Sequence, residues 1–273
     1  MKQAHRYLLA GIVIGLAIAA SALAIDKGLE NPASARTFNG TIMLTGDAPK
    51  DISIQVSDIF SLKMSDVPSI RNRTGEESSV GVPVPEFLAA YGIDEYDRLS
   101  IYADDYQVTI NKSNVTNEMI FVPDSASVRL LGGNLPINSW VKNVRYVVVV
   151  DEDAGSSILL NGRKISYGNM LDDGISTMPF YRMSTIYRPG DREFKVETAG
   201  VAHGISLAAF LFREGYPGFS NVTISGGGST ESFDREEVLI GSLFLTRFHD
   251  DVKLATNDTL QSGWKTVDSI EVE

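Results

Sequence analysis

The chain has 273 residues, 43% of them apolar and 22% charged, with mean hydropathy near zero; this excludes a disordered tail and a polytopic membrane protein and allows one to two domains. Its 35 acidic against 24 basic side chains leave a net charge of −11, the wrong sign for a general nucleic-acid binder. Cys is absent, which excludes disulfides, Cys-zinc sites, iron–sulfur clusters and Cys nucleophiles together.

The N-terminus has the composition of a targeting segment. Lys2, His5 and Arg6 form a basic start, Leu8 to Ala20 is an apolar or small-residue run, and Ala22-Leu23-Ala24 is an A-x-A-like cleavage site. Two readings stay open for residues 1–24: a cleaved signal peptide, or an anchor, since Leu8 to Ile25 is 18 residues, just enough to span a bilayer. Both place the rest of the chain outside the cytoplasm, secreted or held on the outer face of the membrane. Contact with a membrane is expected only through this segment, if it is uncleaved. Without Lys2 and Arg6 the remainder carries 22 basic against 35 acidic residues, a net −13.

Six N-x-[ST] sequons start at Asn39, Asn72, Asn111, Asn114, Asn221 and Asn257. Thirteen Asn and 42 Ser plus Thr in the chain would give about two by composition alone. The excess points to an exported glycoprotein, and together with the acidic, Cys-free composition to a prokaryote.

Residues 25–40 have no apolar period and read as a linker. Beyond them the chain repeats. A shift of 123 lays Gly81–Val115 on Gly204–Val238 without a gap, with Gly81 on Gly204, Phe87-Leu88 on Phe210-Leu211, Gly92 on Gly215 and Val115 on Val238. Ile42–Gly46 resembles Ile158–Gly162, and Val128-Arg129-Leu130 precedes Trp140 as Val252-Lys253-Leu254 precedes Trp264. This gives two tandem homologous domains, 41–151 and a divergent repeat at 157–273, with an acidic hinge at Asp151–Gly155.

Each unit reads as α+β. A short strand opens it. A helix follows, Val84–Tyr91 or Leu207–Glu214, stopped by Gly92 or Gly215. Next come a strand (Arg98–Ala103 or Asn221–Ser225) and a second helix start near Asn111 or Asp234, both good N-caps. Val144–Val150 is β-branched on both faces, as a buried central strand requires.

Other constellations have bland readings. Gly226-Gly227-Gly228 lacks the Lys of a phosphate loop and reads as a turn. His203, and His249 close after Arg247, could serve anion binding or acid–base work, but read as surface residues. Asp104-Asp105, Asp172-Asp173 and Asp250-Asp251 lack a calcium-loop pattern and read as solvated turns. Trp140 and Trp264 read as core anchors.

In order, the pieces are LTGDAPKDISIQVSDI, then Gly81-Val82-Pro83-Val84-Pro85-Glu86-Phe87-Leu88, Asp104-Asp105-Tyr106, Val128-Arg129-Leu130 and Val141-Lys142-Asn143-Val144. They resemble the oxidoreductase molybdopterin-binding domain, the fold of the sulfite oxidase family, with its "GVPL" segment, "DGY" turn, "PLRL" and closing "VKW" strand. The second unit matches more loosely, through Gly204-Ile205-Ser206-Leu207, Val252-Lys253-Leu254 and Trp264-Lys265-Thr266-Val267. The resemblance implies two α+β domains with mixed, mainly β, sheets and short helices. It also implies an anion or pterin pocket at Arg129, Lys142 and Tyr106, with Lys253 and Lys265 as the second-unit counterparts. The departures are as informative. Family members ligate molybdenum through a Cys ahead of "GVPL", where this chain has Ser69-Ile70-Arg71-Asn72-Arg73-Thr74-Gly75, with no soft ligand. The reading that follows is a non-catalytic binding or scaffold protein with no metal and no cofactor, its partner a protein or a small anionic ligand. The alternative is an oxidoreductase domain that holds molybdopterin without a Cys.

Overall fold

A computed structural model describes residues 40–70, 79–124, 127–188, 191–240, 243–256 and 263–273. The targeting segment 1–24, all but the last residue of the linker 25–40, the sequons at Asn39, Asn72 and Asn257, and most of the Ser69–Gly75 stretch lie outside them. Residues 39–273 form one compact unit. It is α+β and mainly β, with short helices. Among the described residues no helix is long and apolar enough to cross a membrane.

The first half runs β1 (Thr41–Gly46), β2 (Ile52–Gln55), α1 (Val56–Ile59), β3 (Ser65–Asp66), β4 (Val80–Pro83), α2 (Val84–Ala90), β5 (Arg98–Tyr102), β6 (Gln107–Asn111), β7 (Met119–Asp124), β8 (Ser127–Gly132) and β9 (Tyr146–Val150). The second runs β10 (Ser157–Leu160), β11 (Arg163–Ser166), α3 (Tyr167–Leu171), β12 (Ser176–Arg188), β13 (Asp191–Ser206), α4 (Leu207–Arg213), β14 (Asn221–Gly226) and β15 (Ser229–Asp234). It closes with α5 (Arg235–Leu239), β16 (Phe244–Phe248), β17 (Asp251–Ala255), β18 (Lys265–Thr266) and β19 (Ser269–Val272).

Each half contains a five-stranded mixed sheet. The orders are β2-β1-β9-β5-β6 and β11-β10-β19-β14-β15. In both, the only parallel pair is the first strand with the last, β1 with β9 and β10 with β19. The registers coincide. Leu99 faces Ile110 and Val149 in the first sheet, and Val222 faces Phe233 and Val272 in the second, every position shifted by 123. β9 is the central strand of its sheet; Val147 to Val150 are fully buried, which is why four consecutive valines are tolerated there.

The remaining strands form a second sheet in each half, β3-β4-β7-β8 and β12-β13-β16-β17-β18. Gly81 and Gly204 sit at the matching crossings, where an added Cβ would overlap the carbonyl oxygen of Phe121 or Leu245. Only glycine lets the strands approach that closely. β12 and β13 continue past this sheet as a two-stranded ribbon to Arg188 and Asp191.

Local signals set the element ends. Gly92 (φ 72°) and Gly215 (φ 91°) adopt the left-handed conformation that stops α2 and α4. Asp234 caps α5 in a reciprocal capping box with Glu237. The Asn111 signal gives only a 3-10 turn, Lys112–Asn114, with no apolar face to extend it. The Gly227-Gly228 pair, both at positive φ, is the two-residue hairpin between β14 and β15.

The two halves share a core. Tyr102, Val148 and Val150 pack in one cluster with Tyr167, Leu171, Leu207 and Phe210. α2 contributes Phe87 and Leu88, with Phe87 edge-on to Phe121 at 5.2 Å.

Candidate functional site

The seam between the halves is built around the β1–β2 turn. Gly46 has φ 81° and lies against the Val149 carbonyl, so the chain turns hard after β1. The next residue, Asp47, points into the second half. Its Oδ1 accepts from Gly168 N at 2.9 Å, and its Oδ2 accepts from the Ser166 hydroxyl at 2.7 Å and Asp151 N at 2.9 Å. Burial pushes the Asp47 carboxyl above its ordinary 3.8, against the opposing pull of these donors and of Arg247.

Arg247, on β16, reaches the other way. Its side chain is 4% exposed. Nη1 donates to the carbonyls of Gly46 at 2.6 Å and Ala48 at 2.7 Å, and Nη2 donates to Asp51 Oδ1 at 2.6 Å. The guanidinium lies 5.5 Å from the ring centre of the fully buried Tyr167, whose hydroxyl donates to the His203 carbonyl at 2.7 Å. The Thr246 hydroxyl donates to the same carbonyl at 2.8 Å.

Over this junction opens a cleft of about 480 Å3, lined from the first half by Met43, Pro49, Lys50 and Asp51. The second half supplies Phe180, His203, Phe248, His249 and Trp264 beside Arg247. Trp264 stands edge-on to Phe180 at 5.4 Å and to Phe248 at 6.2 Å, forming an aromatic wall. His249 is held at φ 57° in the β16–β17 turn, its ring 4.3 Å from Phe248. Lys50 is exposed at the rim and has no acidic partner among the described residues. The volume falls in the range of small-molecule sites, and half of the lining is polar, Asp51 and Asp250 included.

His203 is half-buried, its ring 5.6 Å from Tyr146, and its Nδ1 is buried with no hydrogen-bond partner among the described residues. Burial therefore holds its pKa below 6.5, opposed by the Asp51 charge. The unfolded chain protonates first as pH falls, so the stability this group contributes is present above pH 6.5 and is lost as pH drops through its folded value. NMR titration is expected to place the His203 midpoint below 6.5, and His203→Phe is expected to flatten the dependence of stability on pH in that window. A midpoint at or above 6.5 contradicts this environment.

The five residues expected at an anion or pterin pocket lie elsewhere; none lines the cleft. Arg129 and Lys142 are neighbours: the bridge between Leu130 and Val141 opposes them on one face, with the Arg129 guanidinium 5.9 Å from the Trp140 ring centre and Lys142 exposed. Tyr106 donates to the Asn138 carbonyl and lines a separate hollow with Asp104 and Gln107. Lys253 and Lys265 do not converge. Lys253 opposes Thr266 and bonds Asp251 and Thr266 at 2.8 and 2.7 Å. Lys265 opposes Leu254 and pairs with Glu231. The second-unit equivalence is corrected by one residue: Lys265 occupies the place of Val141, and Thr266 that of Lys142. A one-residue step along a strand moves a side chain to the other face.

Asp104 pairs with Arg145 and Asp251 with Lys253, while Asp172 takes Arg98 and Ser100 of the first half across the seam. Among the described residues no group of three or more His, Asp or Glu is placed to hold a metal. Sequence reasoning missed Asp47, and set Arg247 beside His249 as a possible anion or acid–base pair while treating His203, His249 and Trp264 as surface or core residues. The Arg247-x-His249 spacing was the one available signal.

No family model matches the chain, and no curated protein matches it. Among solved structures, the sulfane dehydrogenase SoxCD from Paracoccus pantotrophus is a neighbour, at 12% identity and a TM-score of 0.30, covering 84% of this chain and 77% of that one. A likeness of that degree transfers no activity. The expectation of a chain without a cofactor is nonetheless corrected: the neighbour is a redox enzyme, and that expectation is withdrawn. Of the residues carried over from the family, Arg129 and Lys142 share a face, but the second-unit pair does not form an anion pocket. The chain has no thiolate, Lys253 and Lys265 face apart, and both are tied to local carboxylates.

Proposed function

We propose that this protein is an exported, non-catalytic binding protein, made of two halves descended from one duplicated unit, that holds a small aromatic anion in the seam cleft. The observation that carries the reading is the cleft itself: an aromatic wall of Phe180, Phe248 and Trp264, with Lys50 at the rim lacking an acidic partner among the described residues. Two of the polar groups in the cleft are committed. Arg247 is spent on two carbonyls and Asp51, and the Thr246 hydroxyl on a backbone carbonyl. The cleft thus offers an aromatic wall, two histidines and the Lys50 cation at its rim, beside the Asp51 and Asp250 carboxylates. The basic and apolar segment at residues 1–24 supports export, and the common registers of the two halves support duplication.

The chain has two tryptophans, so a Trp140→Phe variant leaves Trp264 as the sole indole reporter. Titration with benzoate is expected to change Trp264 fluorescence saturably, acetate and phosphate much less, and Lys50→Ala to weaken benzoate at least tenfold. No saturable change with any of the three overturns the site. Sulfite or sulfane turnover by protein purified from its native host, above a metal-free control, overturns the non-catalytic reading.

A further inference from the structure

We infer that the β6–β7 turn carries N-linked glycan at Asn111 and Asn114; this rests on the exported reading above. Of the three sequons within the described residues, these two lie three residues apart around a single 3-10 turn, Lys112–Asn114. Asn111, Lys112, Ser113 and Asn114 are all exposed. Asn111 enters the turn with extended backbone (φ −64°, ψ 148°), its side chain makes no capping bond, and Val115 leaves it extended again (φ −81°, ψ 100°). An Asn at such a position ordinarily spends its amide on a local bond. Here neither side-chain amide has a hydrogen-bond partner among the described residues, so both Nδ2 atoms face solvent uncommitted.

The third sequon has different surroundings. Asn221 opens β14, flanked on both sides by β15 and β19, and the Thr223 hydroxyl that completes the sequon is bonded to Ser232 Oγ at 2.9 Å. A transferase must bend the acceptor segment around the Asn and reach the hydroxyl at the second residue. Asn114 lies outside any ladder, and Asn111 closes the edge strand β6 with a partner, Arg98, on one side, while the Thr116 hydroxyl accepts only one weak bond, from Glu118 N at 3.3 Å; Asn221 is held on both sides, opposite Asp234 and by Glu273 N.

The reaction needs an oligosaccharide linked through its anomeric carbon to a lipid phosphate. The Nδ2–C1 bond forms, the C1–O bond to the phosphate breaks, the lipid phosphate leaves, and the amide loses one proton. Location gives the product a physical role. β6 is the edge strand of its sheet, hydrogen-bonded only to β5, and a bulky solvated chain at its end guards that edge against pairing with another chain.

The test uses the full chain purified from its native host. Labelling of intact cells with a membrane-impermeant amine reagent reports export, and peptide mass spectrometry across residues 107–118 reports modification. The expected result is a labelled chain whose 107–118 peptide carries sugar mass at Asn111, Asn114 or both. That mass is expected to vanish in Asn111→Gln/Asn114→Gln and in Ser113→Ala/Thr116→Ala, and to persist in Ser113→Thr. A labelled chain with an unmodified 107–118 peptide overturns the inference and leaves export standing. An unlabelled chain overturns the exported reading, and the glycan with it.

Discussion

Arg247→Ala is expected to lower the unfolding free energy by about 3–5 kcal/mol, the cost of removing one partner from a buried ion pair. The Gly46 and Ala48 carbonyls lose this donor, and the Asp51 carboxylate loses its cation while keeping the Thr45 hydroxyl at 2.7 Å. The β1–β2 turn is held from the second half by this side chain as well as by Ser166 and Gly168 on Asp47, so the loss falls on the seam. Arg247→Lys is expected to recover only part of it, since an ammonium cannot present the planar fork that serves two carbonyls and a carboxylate together. Urea denaturation gives the measurement. A loss below about 1 kcal/mol, the scale of an exposed ion pair, would show that the guanidinium is not the clamp.

Asp47→Ala is expected to cost about 3 kcal/mol, because two backbone N–H groups, Gly168 and Asp151, lose their acceptor in a half-buried place. Asp47→Asn separates charge from hydrogen bonding. Because burial raises the folded-state pKa of Asp47 above 3.8, the folded protein takes up this proton before the unfolded chain does. The stabilisation that protonation brings is complete below pH 3.8 and is lost as pH rises through the folded value. The stability difference between wild type and Asp47→Asn is therefore expected to shift in favour of wild type as the solution is acidified through that window. A difference that does not move with pH, or moves the other way, refutes the raised value.

The two clamps act reciprocally, since each half contributes one charged side chain to backbone groups of the other. Neither interaction is suggested by the spacing of residues along the chain. Asp47 and Gly168 are 121 positions apart, and Gly46 and Arg247 are 201 apart. Both residues occur in stretches that read as ordinary turns: LTGDAPK has the composition of a hairpin, and TRFHDD of a polar strand end. What distinguishes them is burial, which is a property of the assembled seam.

Local chemistry was legible where it is decided locally. The helix stops at Gly92 and Gly215 follow from glycine's access to positive φ, and the Asp234 cap from its side-chain oxygen. The burial of Val147–Val150 follows from an unbroken β-branched run. The α+β, mainly β character follows from these short strands and shorter helices. The spacing of 123 that aligns Gly81–Val115 with Gly204–Val238 is also the spacing between the Leu99–Val149 and Val222–Val272 registers, because glycines and apolar residues are what strand crossings constrain.

Faces were less legible than elements. Trp264 looked like a second Trp140, yet Trp140 donates from Nε1 to the Gly132 carbonyl at 3.1 Å while Trp264 lines the cleft. Lys265 looked like a second Lys142, but the Leu254–Lys265 register turns it to the opposite side. His203 and His249 are 46 positions apart in sequence and line one cleft because β13 pairs with β16, Gly204 against Thr246. By itself the sequence determined many of the elements and their ends, which depend on backbone preference and side-chain shape over a few residues, but neither the long β12–β13 ribbon nor the 3-10 turn in place of a helix at Asn111. The cleft, the clamps and the company each charged group keeps were decided by tertiary structure, because strand register and burial set which face a side chain takes and which distant carbonyl or carboxylate it meets.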